Sequence, residues 1–164
     1  IDISRAATGY QLHMEDIDLP AYMKQLREQI DALCQTKKIG LQVEIEHLPA
    51  VLSADKLLLE RAIMNVVNNA LDYSPQDSSI SISMMGDNGS LKISVTDAGP
   101  GFSQEDLLHA EEQFYMADRS RSSNLHFGMG LFITKSIVQQ HGGQLILSNS
   151  EKTGGAQVTI SIPY

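Results

Sequence analysis

Two alternating apolar segments, Ile80–Met84 and Leu91–Thr96, flank Gly86-Asp87-Asn88-Gly89, and this turn constrains the fold more than any other local feature. Such residues accept the backbone angles of a tight hairpin loop, so the flanking strands must pair antiparallel. Segments near Gln144–Ser148 and Gln157–Ile162 form a second pair, joined by Thr153-Gly154-Gly155. Leu41, Val43 and Ile45 alternate as another strand, and Tyr10 to Leu19 alternates loosely as a first one. Pro20 opens a helix whose Tyr22, Met23, Leu26, Ile30 and Leu33 share one stripe, with Gly40 expected to close it. Asp55 caps a second helix, which runs to about Tyr73 and is ended by Ser74-Pro75. A third extends from about Met129 to His141, before Gly142-Gly143. Residues 1–8 read as a helix tail stopped by Gly9. Locally paired strands with three helices to cover one face make an α+β two-layer sandwich, with a mixed, mostly antiparallel sheet of about five strands. A doubly wound nucleotide fold fits less well, because strands and helices do not alternate strictly.

The chain of 164 residues suits one domain burying roughly two thirds of its unfolded surface, and its 42% apolar content is that of a folded protein. A net charge of -8 argues against nucleic acid as a partner. The same charge opposes a polyphosphate ligand, so magnesium and a few placed cations would have to offset it locally. Cys34, alone, forms no internal disulfide; in a helical pattern it reads as a buried, inert thiol, which fits a reducing compartment. No apolar run approaches the ~18 residues of a membrane span, and no signal peptide is present. Beginning at Ile1 rather than Met, the chain is expected to be a piece of a longer protein.

Three short motifs carry chemistry. The second helix is apolar almost all round, hence expected to be largely buried, yet Asn65, Asn69, Asp72 and Tyr73 form one polar stripe along it. Asparagine oxygens coordinate Mg²⁺ without repelling a triphosphate; satisfying nearby backbone is the other use open to them. Next, Ile93 and Val95 lead into Asp97-Ala98-Gly99-Pro100-Gly101-Phe102. A carboxylate at a strand end can accept from an adenine amino group, and glycines let backbone approach a flat ligand; an ordinary turn with an exposed Asp is the other reading. Finally, Gly128-Met129-Gly130-Leu131 starts a helix, where free N–H groups suit phosphate, although a plain loop-to-helix junction has the same residues. Arg119 and Arg121 lie upstream, in a polar stretch from Ser103 to Phe127 that is long enough to be a lid, with a short helix near its start. There is no G-x-x-x-x-G-K-[ST] loop, no G-x-G-x-x-G after a strand and no H-R-D loop. His13, His47, His109, His126 and His141 show no metal-ligand spacing and read as surface or packing residues.

In order and spacing these motifs resemble the catalytic ATP-binding domain of two-component sensor histidine kinases, in the GHKL superfamily shared with gyrase, MutL and a heat-shock chaperone. Residues Asn65 to Pro75 resemble the N box and Asp97 to Phe102 the first glycine box. Gln113-Phe114-Tyr115 through Asp118-Arg119-Ser120-Arg121 resembles the phenylalanine box, and Phe127 to Leu131 the second glycine box. His141-Gly142-Gly143 and Gly154-Gly155 resemble the closing segments, and Ile1 to Gly9 the end of a dimerisation helix. The resemblance implies a Bergerat-type fold, a catalytic domain over 10–164 with an ATP lid at about 103–127, and ATP with Mg²⁺ as cofactors. It implies that Asn69 holds Mg²⁺ and that Asn65 helps to bind phosphate or metal-bound water. Tyr73 lies against the nucleotide, Asp97 reads adenine with Gly99, Gly101 and Phe102 beside it, and Gly128, Met129, Gly130 and Leu131 meet the phosphates. The implied reaction moves the γ-phosphoryl group to a histidine upstream of the chain, so Asn65 and Arg121 are the expected catalytic residues. The partners implied are an upstream dimerisation and phosphoacceptor domain, forming a homodimer, and indirectly a response regulator. The implied location is the cytoplasmic part of a membrane sensor.

Four positions depart from the pattern: Asp72 where a lysine or arginine is frequent, Met116 for an arginine, His126 for a glycine and Ala156 for a threonine. Asp72 is then expected to support the metal shell while Arg119 or Arg121 takes the phosphate role. A hydrolytic relative would need a glutamate base four residues before the metal asparagine, where this chain has Asn65. A degenerate regulatory module, keeping the fold with weak nucleotide binding, is the remaining alternative.

Overall fold

The computed structural model describes residues 11–108 and 129–164. The helix tail expected over Ile1–Gly9, Tyr10, and the lid residues from His109 to Gly128, among them Met116, Arg119, Arg121 and His126, lie outside the described residues.

Strand β1 (Met14–Asp18) runs straight into helix α1 (Leu19–Lys37). Asp18 caps the helix by accepting from the Ala21 N–H at 3.3 Å, with Pro20 in the first turn. Its C-terminus is a correction to the sequence reading. The left-handed residue is Lys38 (φ 58°), not Gly40, and the Lys38 and Ile39 N–H groups cap the Gln35 and Cys34 carbonyls. Gly40 is instead the first residue of β2 (Gly40–Glu46). It sits opposite Ser79, where an added Cβ would come within 2.6 Å of the Ser79 hydroxyl, so close strand approach accounts for it.

Strand β3 (Val51–Asp55), absent from the sequence reading, pairs antiparallel with β1 in a two-stranded ribbon. Asp55 at its end caps α2 (Lys56–Tyr73), its Oδ1 accepting from the Leu58 N–H at 3.1 Å. Then follow β4 (Ser79–Asp87), β5 (Ser90–Thr96), the short α3 (Gln104–Leu108), α4 (Met129–Gln140), β6 (Gln144–Asn149) and β7 (Ala156–Pro163). The main sheet has five strands in the order β2-β4-β5-β7-β6, parallel only between β2 and β4. Asn88 and Gly89, both at positive φ, form the expected β4–β5 turn.

Register explains why one face is buried. Ile82 lies opposite Val95 and Met84 opposite Ile93, while Val95 and Ile93 lie opposite Val158 and Ile160. These side chains form one apolar layer under α1, α2 and α4. The other face carries short polar side chains, with Ser94 and Thr159 hydrogen-bonded at 2.8 Å. Cys34 is buried in the core, and burial, followed by Asp31, pushes its thiol up. Helix α2 is less buried than its composition implies. Leu57 is 79% exposed, and Arg61, Asn68 and Asp72 extend an open stripe along it.

Tyr22 of α1 donates to the Lys56 carbonyl at 2.8 Å, stapling α1 to the start of α2. Burial first, then Glu60 and Asp55, pushes its phenol far above the usual tyrosine range. The folded state thus holds this proton more tightly than the unfolded chain does. The resulting stability is complete below the ordinary tyrosine pKa of about 10 and is lost as pH rises through the folded value. Urea midpoints should therefore hold up to about pH 9 and be lower at about pH 11, and Tyr22→Phe should flatten part of that fall. An equally steep fall in the variant would remove Tyr22 as the cause.

Candidate nucleotide-binding site

Asp97 follows β5 directly and is 4% exposed. Its N–H donates to the Ala156 carbonyl, and its Oδ1 accepts from the N–H groups of Ala156 and Gly99, each at 2.9 Å. The carboxylate is thus set at the seam between β5 and β7, not in the exposed turn that was the competing reading. Gly155 is part of that setting, since a Cβ there would overlap the Asp97 carbonyl oxygen. Ala156 serves Asp97 through backbone alone, which does not require the hydroxyl of a threonine.

The turn after Asp97 is held by residues from elsewhere. Ser74, the C-cap of α2, accepts from the Ala98 N–H at 3.0 Å. Asn149, at the end of β6, grips Phe102 from both sides: Oδ1 accepts from the Phe102 N–H at 2.7 Å, and Nδ2 donates to its carbonyl at 2.9 Å. Between these anchors Gly99 passes so close to α2 that a Cβ would lie 2.7 Å from the Tyr73 carbonyl. Phe102 is buried and Gly101 takes φ 85°.

On α2, Asn65, Asn69 and Tyr73 are half-buried and Asp72 is exposed. Asn65 donates through Nδ2 to the Gly130 carbonyl at 3.4 Å, and Thr134 Oγ1 donates to the same oxygen at 2.8 Å. The asparagine helix is therefore joined to the first turn of α4. Asn69 makes no side-chain hydrogen bond among the described residues. Burial, then Asp72, Asp106 and Asp97, pushes the Tyr73 phenol up. Asp72 itself pairs with Lys37 Nζ at 3.2 Å.

The structure thus brings Asn65, Tyr73, Asp97, Gly99 and Gly130 around one helix, with Gly101 and Phe102 in the adjoining turn. Leu131 is 1% exposed, its side chain in the core, so only its backbone is available to a ligand. Met129 begins α4, while Gly128, Arg119 and Arg121 fall outside the described residues. Sequence reasoning missed Ser74, Asn149, Asp106 and Lys37 as neighbours of the site. Only Ser74 carried a signal, as the residue before a proline at a helix end. His141 proves to be a packing residue: its Nε2 accepts from the Asp55 N–H at 3.0 Å, and Nδ1 lies 2.8 Å from the Ile137 carbonyl. A separate cavity of about 450 Å³ lies between α4 and β6, with Leu107, Lys135 and Gln139 in its lining, and none of the described site residues borders it.

The family model described as histidine kinase-, DNA gyrase B-, and HSP90-like ATPase matches residues 54–164. Sensor histidine kinase SpaK of Bacillus subtilis is 36% identical over 163 residues, which cover 99% of this chain and 35% of that protein. The chain therefore spans about a third of the length of that relative. The catalytic domain of histidine kinase ThkA superimposes with a TM-score of 0.75 at 21% identity, covering 93% of this chain and 96% of that one, a likeness of fold. The mycobacterial sensor histidine kinase MprB gives 0.72 at 25% identity, covering 91% and 96%. The matched region holds Asn65, Asp97 and Gly130, and the chain belongs to the histidine kinase-, DNA gyrase B- and HSP90-like ATPase family, as an ATP-binding catalytic domain of the sensor histidine kinase type.

Proposed function

We propose that the chain binds Mg-ATP between α2, the Asp97–Phe102 turn and the start of α4, and donates the γ-phosphoryl group to a histidine on an upstream dimerisation domain. On this reading residues 1–9 belong to the end of that upstream domain and 10–164 to the catalytic domain. The parent is a homodimeric membrane sensor with this domain in the cytoplasm, and a response regulator takes the phosphoryl group next. Among the described residues no helix is long and apolar enough to cross a membrane.

The observation that carries this reading is the Asn65–Gly130 hydrogen bond. It closes the asparagine face of α2 against a helix N-terminus, while Asp97 stands anchored beside Tyr73. The donor set fits the group. Asn69 offers a neutral oxygen for Mg²⁺ and lacks a side-chain hydrogen bond among the described residues. With Asp97 Oδ1 committed to backbone, recognition of the adenine amino group falls to Oδ2. The backbone of Gly128–Leu131 meets the phosphates, and Arg119 or Arg121 adds positive charge at the reacting end. Bound ATP supplies the phosphoryl group; the protein positions groups and stabilises charge. Four residues before Asn69, hydrolysis lacks a base: Asn65 cannot take a proton from water, and Glu60 stands beside Tyr22 on another face of α2.

A thermal-shift titration tests binding, since Mg-ATP at about 100 times its Kd should add about 2.7 kcal/mol of stability. Adding a helical hairpin from a sensor kinase as acceptor should yield acid-labile phosphohistidine, and the chain alone should not label itself. Phosphate release near one turnover per second, on the order of an ordinary enzyme rate, without any acceptor would overturn the kinase reading in favour of hydrolysis.

A further inference from the structure

Of the three ion pairs among the described residues, two are local: Arg27 with Asp31 within α1, and Lys92 with Asp87 beside the hairpin turn. The third joins α1 to α2, with Lys37 Nζ 3.2 Å from Asp72 Oδ1. Both side chains are well exposed, so the pair adds little to stability. Its consequence is where it puts a positive charge.

Asp72 shares its helix face with Asn65 and Asn69, at spacings of seven and three residues, about 4.5 Å along the axis from Asn69. A triphosphate held by those asparagines meets the Asp72 carboxylate at its flank. Asp97 and Asp106 add to the negative field acting on Tyr73, and the chain carries a net charge of -8. The site therefore needs a cation on this side. An ammonium group has three donors and a flexible stem, so Lys37 can keep one hydrogen bond to Asp72 and give another to a phosphate oxygen. We propose that Lys37 is a nucleotide-binding residue supplied by α1 and held by Asp72 against the phosphate end of the site. The inference rests on the Mg-ATP reading above and assigns a cation to it.

The test is calorimetric titration of the chain at low salt with Mg-ATP and with adenosine. Lys37→Gln should bind Mg-ATP about tenfold more weakly, with the deficit shrinking as salt screens it. Adenosine affinity should be unchanged, Lys37→Arg should keep Mg-ATP affinity, and an unaltered urea midpoint shows the variant folded. The Lys37→Gln loss should persist in an Asp72→Asn background, because the lysine then still faces phosphate. Loss of the effect in that background would reduce Lys37 to a screen for Asp72 and overturn the proposal. Unchanged Mg-ATP affinity in Lys37→Gln, with the parent chain binding normally, also overturns it alone. Failure of the parent chain to bind Mg-ATP overturns the nucleotide reading and this inference together.

Discussion

Asp97→Asn should leave the fold standing and weaken ATP binding by about a hundredfold, a cost of about 2–3 kcal/mol. The amide keeps an acceptor at the Oδ1 position for the Gly99 and Ala156 N–H groups. What it changes is the other arm, where an NH₂ replaces the oxygen proposed to accept from the adenine amino group and would set donor against donor. Asp97→Ala is the contrasting variant. It leaves two backbone N–H groups without their acceptor at a buried seam, which should cost about 2–4 kcal/mol of stability as well as binding. Affinity for ATP and urea midpoints, measured on both variants, separate the two effects. ATP binding at parent strength by a folded Asp97→Asn would show that this carboxylate does not read the base.

Gly155→Ala should be strongly destabilising, costing about 3 kcal/mol or more. The new Cβ would overlap the backbone carbonyl of Asp97, a group that cannot rotate away. Strand β7 would have to retreat, breaking both hydrogen bonds between Asp97 and Ala156. Gly130→Ala is the control. There the nearest atoms among the described residues are those of Asn65, at an ordinary 3.7 Å or more. Helix propensity favours alanine by up to about 1 kcal/mol, so that variant should be as stable as the parent. Urea midpoints of the pair decide the matter, and a Gly155→Ala loss below about 1 kcal/mol would mean that the seam yields easily.

Much of this was legible in the residues before any coordinates. The periodicity of α1, α2 and α4, the Asp55 cap and the Asn88-Gly89 turn are local, and local chemistry reproduced them to within a few residues. The two-layer fold followed from the pairing of adjacent strands. Strand β3 escaped because five residues between a proline-bearing loop and a helix cap carry too little alternation to announce themselves. Gly40 was read as a helix stop because glycine commonly is one; its use is to let β2 approach Ser79, a residue far along the chain. The site divides in the same way. Asn65, Asn69, Asp97 and Gly130 stood out by type and spacing, and the structure placed them around α2. Asn149, Asp106 and Lys37 did not, because nothing in their own segments says that Phe102, Tyr73 or Asp72 will lie beside them.

The seam between β5 and β7 also sets a timetable. The Asp97 carboxylate and the Ala156 amide that fixes it are 59 residues apart, and β7 follows every other described element. At roughly 5–20 residues per second of synthesis, the amide is made about 3–12 s after the carboxylate. During that interval the β4–β5 hairpin can close on its own turn, while Asp97 at its end lacks one of its backbone donors. The carboxylate proposed to read the base thus reaches its final setting late in the birth of the domain, when the last described strand docks.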